Sequence, residues 1–65
     1  MNNAKQNERS RILVADDEAE IRDLLVRYLE REGYDVKLAS TGTAALALFG
    51  TERFDLAILD VMMPL

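Results

Sequence analysis

The stretch Asp55-Leu-Ala-Ile-Leu-Asp60-Val-Met-Met-Pro64-Leu65 carries the pattern that decides the fold. Its four consecutive apolar residues, Leu56 to Leu59, predict a buried strand, because the run is too short for a helix and charged residues bound it. The strand ends at a carboxylate, Asp60, and Pro64 cannot extend a hydrogen-bonded ladder. Open α/β sheets place their ligand sites at the carboxyl ends of strands, so Asp60 is a candidate site residue.

A second stretch of the same kind lies near the start of the chain. Residues Arg11 to Ala15 are predicted to form the first strand, because the apolar run Ile12 to Ala15 lacks alternation, as expected for a strand covered on both faces. Asp16, Asp17 and Glu18 follow it directly. One interpretation is helix capping, with Asp17 and Glu20 as a capping box. Capping accounts for one or two of the acids but not for Asp16, which precedes any helix, so metal binding remains an equal alternative.

The segment from Ala19 to Glu32 is predicted to be an amphipathic helix. Glu18 and Arg22 have the i,i+4 spacing of an ion pair on its solvated face. Gly33 follows in the position that favours a left-handed cap. The apolar residues have the i, i+3, i+4, i+7, i+8 spacing of one helical stripe: Ile21, Leu24, Leu25, Tyr28 and Leu29.

The next segment predicts an alternating strand and a second helix. Tyr34, Val36 and Leu38 alternate with charged residues, which indicates a strand with one solvated side or at a sheet edge. The turn 40–43 leads into a helix from Ala44 to Phe49, closed by Gly50. The single Gly42 in this turn is too little to indicate a phosphate-binding loop.

The predicted order is therefore strand, helix, strand, helix, strand, which indicates an α/β fold with parallel pairing. Right-handed crossovers and the apolar character of the first and third strands predict the spatial order 2-1-3 with one helix on each face. The first and third strands are then neighbours about 4.8 Å apart, and Asp16, Asp17 and Asp60 converge where they end. Carboxylates at that separation repel one another, and Mg²⁺ is the divalent cation that suits such a cluster.

Composition limits what else the chain can do. Its 65 residues allow one small domain, and it contains neither cysteine nor histidine, which excludes disulfides, thiolate sites and histidine chemistry. The net charge of −4 argues against a nucleic-acid surface within the chain. We expect a cytoplasmic protein without a membrane segment, since no apolar run approaches 18 residues and no signal peptide is evident. The polar, aperiodic residues 1–10 are predicted to be a flexible tail.

Taken together, the motifs resemble the first half of a response-regulator receiver domain. The resemblance extends from Arg11 to Leu65 and implies a truncated flavodoxin-like (CheY-like) doubly wound parallel sheet. The motifs that carry it occur in this order: Ile12-Leu-Val-Ala-Asp16-Asp17-Glu18, Ile21-Arg22, Gly33-Tyr34, Ala39-Ser-Thr-Gly42 with Ala45-Leu46, and Asp55-Leu-Ala-Ile-Leu-Asp60-Val-Met-Met63-Pro64.

The resemblance implies a role for each acidic residue in a two-component phosphorelay. Asp60 matches the phosphoacceptor, which takes a phosphoryl group from a phosphohistidine on a sensor histidine kinase. Asp17 matches the direct Mg²⁺ ligand, and Asp16 its neighbour that acts through water. The backbone carbonyl of Met62 matches the third protein contact to the metal. A receiver supplies its own substrate carboxylate, so we expect no enzyme in the usual sense.

The sequence departs from the family pattern at its end. The flavodoxin-like sheet has strand order 2-1-3-4-5, and we expect this chain to stop after the third strand, without the family's Ser or Thr and its Lys that contact the phosphoryl oxygens. The third strand then becomes an exposed edge. A second function class therefore stays open: a non-signalling fragment or interaction module that forms a homo-oligomer through this strand.

Overall fold

The computed structural model describes residues 9–60, which form three strands and two helices in the predicted order. The predicted tail falls outside this range except for Arg9 and Ser10, and both are exposed. The elements are β1 (Arg11–Ala15), α1 (Ala19–Arg31), β2 (Asp35–Ala39), α2 (Gly42–Thr51) and β3 (Leu56–Leu59).

The three strands form one parallel sheet with β1 in the centre, in the order β2-β1-β3. Ala15 at the end of β1 lies opposite Ala39 of β2 and Leu59 of β3. This register brings the carboxyl ends of all three strands to the same edge of the sheet. The predicted strand order is confirmed, and β2 is the edge strand that its alternating sequence indicated.

The core consists of two apolar clusters, one on each face of β1. Leu13 and Ala15 pack with Ala45 of α2 on one face, whereas Ile12 and Val14 pack with Leu29 of α1 on the other. All of β1 after Arg11 is buried, as its unbroken apolar run predicts. Burying a side chain of this size stabilises a fold by about 1.5–3 kcal/mol, so β1 is the main source of hydrophobic stabilisation. The two helices thus lie on opposite faces of a doubly wound sheet.

Helix α1 ends as the sequence predicts, with Gly33 in a left-handed conformation. The φ angle of Gly33 is 96°. Its N–H donates to the Glu30 carbonyl at 3.0 Å, and the N–H of Tyr34 donates to the Leu29 carbonyl at 3.1 Å. These two bonds form a Schellman motif, which satisfies carbonyls that the end of a helix leaves without partners.

The start of α1 differs from the predicted capping box. The N-cap residue is Glu18, and its side chain makes no capping hydrogen bond. Instead, Oδ1 of Asp16 accepts from the N–H of Glu18 at 2.9 Å, two residues along. Asp17 is therefore not the N-cap, and it is the side chain of Asp16 that accepts the hydrogen bond from the Glu18 amide, just before the helix begins.

Helix α2 is longer than predicted at both ends. It begins at Gly42 because the Oγ1 of Thr41 accepts from the Ala44 N–H at 3.1 Å and caps it. It continues through Gly50 to Thr51, and the N–H of Glu52 still donates to the Leu48 carbonyl at 2.9 Å. Gly50 therefore does not close the helix. Glycine weakens a helix interior by about 1 kcal/mol relative to alanine, a cost that the additional hydrogen bonds at the end of α2 can outweigh.

Strand β3 is less buried than its apolar sequence predicts. Leu56 is 55% exposed and Leu59 is 53% exposed. The backbones of both helices lie over β1 and β2 rather than β3. On the predicted helical stripe of α1, Leu29 is buried, but Leu24 and Tyr28 are more than half exposed. Apolar side chains therefore remain exposed both on β3 and on α1.

A cluster of charged and aromatic side chains around Arg11 holds the amino end of the sheet together. The guanidinium bonds to Glu52 at the end of α2, and its Nε lies 3.4 Å from Oδ2 of Asp35, an ion pair without hydrogen-bond geometry. It also lies over the ring of Phe54, 5.3 Å from the centroid. The main chain of Arg11 exchanges two bonds with Asp55, one to its side chain. Arg11 thus forms ion pairs with an acid of β2 and with an acid at the end of α2.

Candidate functional site

The three acidic residues singled out from the sequence converge at the carboxyl end of the sheet. Asp16, Asp17 and Asp60 each offer a carboxylate oxygen, and these oxygens all lie within 4.8 Å of one another. Asp16 and Asp60 are half-buried, and Asp17 is exposed. The predicted convergence is confirmed, whereas the chemical role of each residue stays a prediction.

Backbone hydrogen bonds hold the two strand tips at the same level. The N–H of Asp60 donates to the Ala15 carbonyl at 3.0 Å, and the N–H of Asp16 donates to the Ala39 carbonyl at 3.1 Å. Each bond continues a ladder one step beyond the strands. A slip of one residue in β3 would move Asp60 to the other face of the sheet, so the register of β3 determines whether the three carboxylates meet.

The turn after β1 is held by the helix that follows it. Nη1 of Arg22 donates to the carbonyl oxygen of Asp16 at 2.8 Å, six residues back along the chain. The sequence indicated a Glu18–Arg22 ion pair instead. The i,i+4 spacing places Arg22 near Glu18, but the side chain reaches beyond the helix to the carbonyl of the first residue after β1. Spacing within the helix cannot reveal this contact. Arg22 is thus a site-adjacent residue that the sequence reasoning missed.

The donor set has the chemistry of a hard-cation site. Two unit negative charges about 4 Å apart repel by about 1 kcal/mol in water and by about 4 kcal/mol at the effective dielectric constant near a protein surface. A divalent cation converts this repulsion into attraction. The cluster offers oxygen ligands only, which suits Mg²⁺, a cation that binds through one or two carboxylates and keeps several waters. The residues present therefore fit a magnesium ion. Met62, the predicted backbone ligand, lies outside the described residues.

Within residues 9–60, neither helix is long and apolar enough to span a bilayer.

Comparisons with known proteins agree with the geometry. The family model described as the response regulator receiver domain matches residues 12–65. The chain is 49% identical over 59 residues to the transcriptional regulatory protein ResD of Bacillus subtilis, covering 91% of this chain and 25% of ResD. It is 56% identical over 54 residues to the alkaline phosphatase synthesis transcriptional regulatory protein PhoP of the same organism, covering 83% of this chain and 22% of PhoP. The chain therefore spans about a quarter of the length of these curated relatives.

A solved structure shows the same arrangement of elements. The chemotaxis response regulator CheY4 of Vibrio cholerae matches with a TM-score of 0.86 and 38% identity, over 88% of this chain and 48% of CheY4. The sheet order, the helices on opposite faces and this likeness identify the fold as a truncated CheY-like, flavodoxin-like one. The chain belongs to the response regulator receiver domain family of two-component systems.

Proposed function

We propose that this chain carries the phosphoacceptor site of a two-component phosphorelay. Asp60 accepts a phosphoryl group from a phosphohistidine on a sensor histidine kinase, and Asp16, Asp17 and Asp60 hold Mg²⁺ beside it. One observation carries the proposal: three carboxylates from two neighbouring strand ends meet within 4.8 Å in a chain of the receiver family. The backbone carbonyl of Met62 completes the proposed ligand set.

The proposed reaction is a transfer between two protein side chains. An oxygen of the Asp60 carboxylate attacks the phosphorus of phosphohistidine, a P–O bond forms, and the P–N bond breaks. The electron pair of the broken bond stays on the imidazole nitrogen, which takes a proton from solvent. Phosphoryl transfer depends mainly on in-line positioning and on neutralisation of the phosphoryl oxygens. A bound Mg²⁺ would supply that neutralisation.

The chain's own contribution is to position the acceptor. The bond from the Asp60 N–H to the Ala15 carbonyl fixes the main chain of the acceptor against β1. Half-burial leaves the carboxylate accessible to a donor while it limits the side chain's freedom. Asp60 is consumed in the reaction, so the chain acts as a receiver of one phosphoryl group rather than as an enzyme.

Intact mass spectrometry with a small phosphodonor tests the proposal. The chain is incubated with acetyl phosphate and Mg²⁺, and we expect an adduct of about 80 Da, the mass of one phosphoryl group. Asp60→Asn should give no adduct. Asp23→Asn is the matched control, because Asp23 is an exposed acid on α1 and its loss changes the net charge equally. Absence of the adduct under conditions that label a complete receiver would rule out this activity for the chain.

The uncovered third strand supports a second candidate function, self-association. Strand β3 pairs only with β1 in the described sheet, and Leu56 and Leu59 are more than half exposed. An exposed apolar edge strand is a template for pairing with another chain. Sedimentation equilibrium distinguishes the alternatives: an oligomer that Leu59→Lys dissociates supports association through this edge, whereas a folded monomer at high concentration contradicts it.

A further inference from the structure

The side chain of Arg22 joins α1 to the turn that bears the acidic residues. Its Nη1 donates to the Asp16 carbonyl at 2.8 Å, and the side chain is half-buried. Two other arginines of the same helix, Arg27 and Arg31, are exposed. The half-burial of Arg22 therefore goes with its contact to the turn, and the other two arginines do not share it.

The Asp16 carbonyl belongs to the same planar peptide unit as the amide nitrogen of Asp17. Fixing that carbonyl therefore fixes the orientation in which the chain enters Asp17. Two other bonds hold Asp16, one from its N–H to the Ala39 carbonyl and one from the Glu18 N–H to its Oδ1. The contact from Arg22 has an ionised donor, and the contact from the Glu18 N–H has a carboxylate acceptor; both kinds of bond are stronger than neutral ones.

We propose that Arg22 is a positioning residue that holds the Asp16–Asp17 peptide in the orientation required for cation binding. This inference rests on the proposed function of the acidic cluster. Arg22 acts through the main chain and does not itself contact the cation.

The charge of Arg22 acts in the opposite direction to its hydrogen bond. A positive group near the cluster repels a divalent cation, so loss of the charge alone should tighten Mg²⁺ binding. Loss of the positioning bond should weaken it. The sign of the change in affinity therefore separates positioning from a general electrostatic effect.

Calorimetric titration with Mg²⁺ gives this sign. We expect Arg22→Met, which keeps a long apolar stem but loses the donor, to raise the Mg²⁺ dissociation constant about tenfold, the size of effect typical for outer-shell partners of a metal site. Arg22→Lys retains an ionised donor and should recover most of the affinity. Arg27→Met is the matched control, with the same charge change on the same helix, and should leave the constant unchanged or slightly lower. An unchanged or lowered constant in Arg22→Met would overturn the proposal.

Amide hydrogen exchange of the metal-free chain supplies a readout that needs no Mg²⁺. The Glu18 amide, which donates to Asp16 Oδ1, should exchange faster in Arg22→Met and not in Arg27→Met. Faster exchange in a chain that binds no Mg²⁺ would support the positioning contact and contradict the proposed function. Unchanged exchange would contradict the positioning role. If Arg22→Met does not fold, Arg22→Gln takes its place in both measurements, since its shorter side chain cannot span the distance to Asp16.

Discussion

The two ends of the sheet differ in the charges that they bring together. At the amino end, the guanidinium of Arg11 joins two acids from different elements, Asp35 and Glu52. At the carboxyl end, carboxylates of like charge meet within 4.8 Å. Both clusters bring together residues distant in the sequence: the register of β2 against β1 places Arg11 opposite Asp35, whereas that of β3 against β1 brings Asp60 to the end of β1. At the carboxyl end three carboxylates meet, and a divalent cation bound there would offset their mutual repulsion.

This difference separates a stabilising cluster from a ligand site. Opposite charges at the amino end lower the free energy of the folded chain by themselves, together with the cation–π contact of Arg11 with Phe54. The like charges of the three carboxylates at the carboxyl end oppose folding, the nearby guanidinium of Arg22 offsets part of that repulsion, and a bound divalent cation would offset more of it. Substitutions at the carboxyl end should therefore mainly reduce phosphorylation and Mg²⁺ binding, whereas substitutions at the amino end should mainly lower the free energy of unfolding.

The largest expected effect is the loss of phosphorylation in Asp60→Asn. An amide cannot form the acyl phosphate, so the mass adduct should vanish. In the absence of Mg²⁺ the same substitution removes one of the mutually repelling charges, and we expect the free energy of unfolding in urea to stay equal or to rise by up to about 1 kcal/mol. A clear loss of stability in the metal-free variant would show that the carboxyl end is not under electrostatic repulsion.

The amino end should show the converse behaviour in Arg11→Met. This substitution removes both ion pairs and the cation–π contact but keeps an apolar stem. We expect urea unfolding to show a loss of about 2 kcal/mol, between the values typical of exposed and buried ion pairs. Arg31→Met, which changes an exposed arginine of α1, is the control and should cost less than about 0.5 kcal/mol. Equal losses in the two variants would contradict a stabilising role for Arg11.

Two glycines that belong to neither charged cluster give a baseline for the effect of backbone conformation on stability. Gly33→Ala places a side chain in a left-handed conformation without a steric clash, so the expected loss is about 1–2 kcal/mol from the backbone alone. Gly50→Ala lies within α2, again without a clash, and should gain about 0.5–1 kcal/mol. Thermal unfolding measures both. The change in stability should be a loss for Gly33→Ala and a gain for Gly50→Ala, and neither variant should alter the Mg²⁺ affinity.

The sequence predicted the features that depend on hydrophobic pattern and backbone chemistry. The unbroken apolar run of β1 identified the central strand, and Gly33 marked the end of α1. The convergence of Asp16 with Asp60 followed because parallel neighbours end at the same edge. Local apolar runs could not reveal that Leu56 and Leu59 are exposed, because burial depends on which elements cover a strand.

The hydrogen-bond partner of a long side chain was the other feature that the sequence could not predict. Arg22 has several possible acceptors within its length, and only the folded turn presents the Asp16 carbonyl to it. The extent of α2 was underestimated for a related reason. Gly50 resembles a stop signal, but the cap at Thr41 and the last hydrogen bonds of the helix determine where α2 begins and ends.

The most direct test of the central claim is the effect of Mg²⁺ on urea unfolding of the chain and of Asp17→Asn. If the acidic edge binds the cation, Mg²⁺ at 100 times its dissociation constant should raise the free energy of unfolding of the unsubstituted chain by about 2.7 kcal/mol. The increase should largely disappear in Asp17→Asn. An identical response of the two chains to Mg²⁺, or no response in either, would contradict a magnesium site at this edge of the sheet.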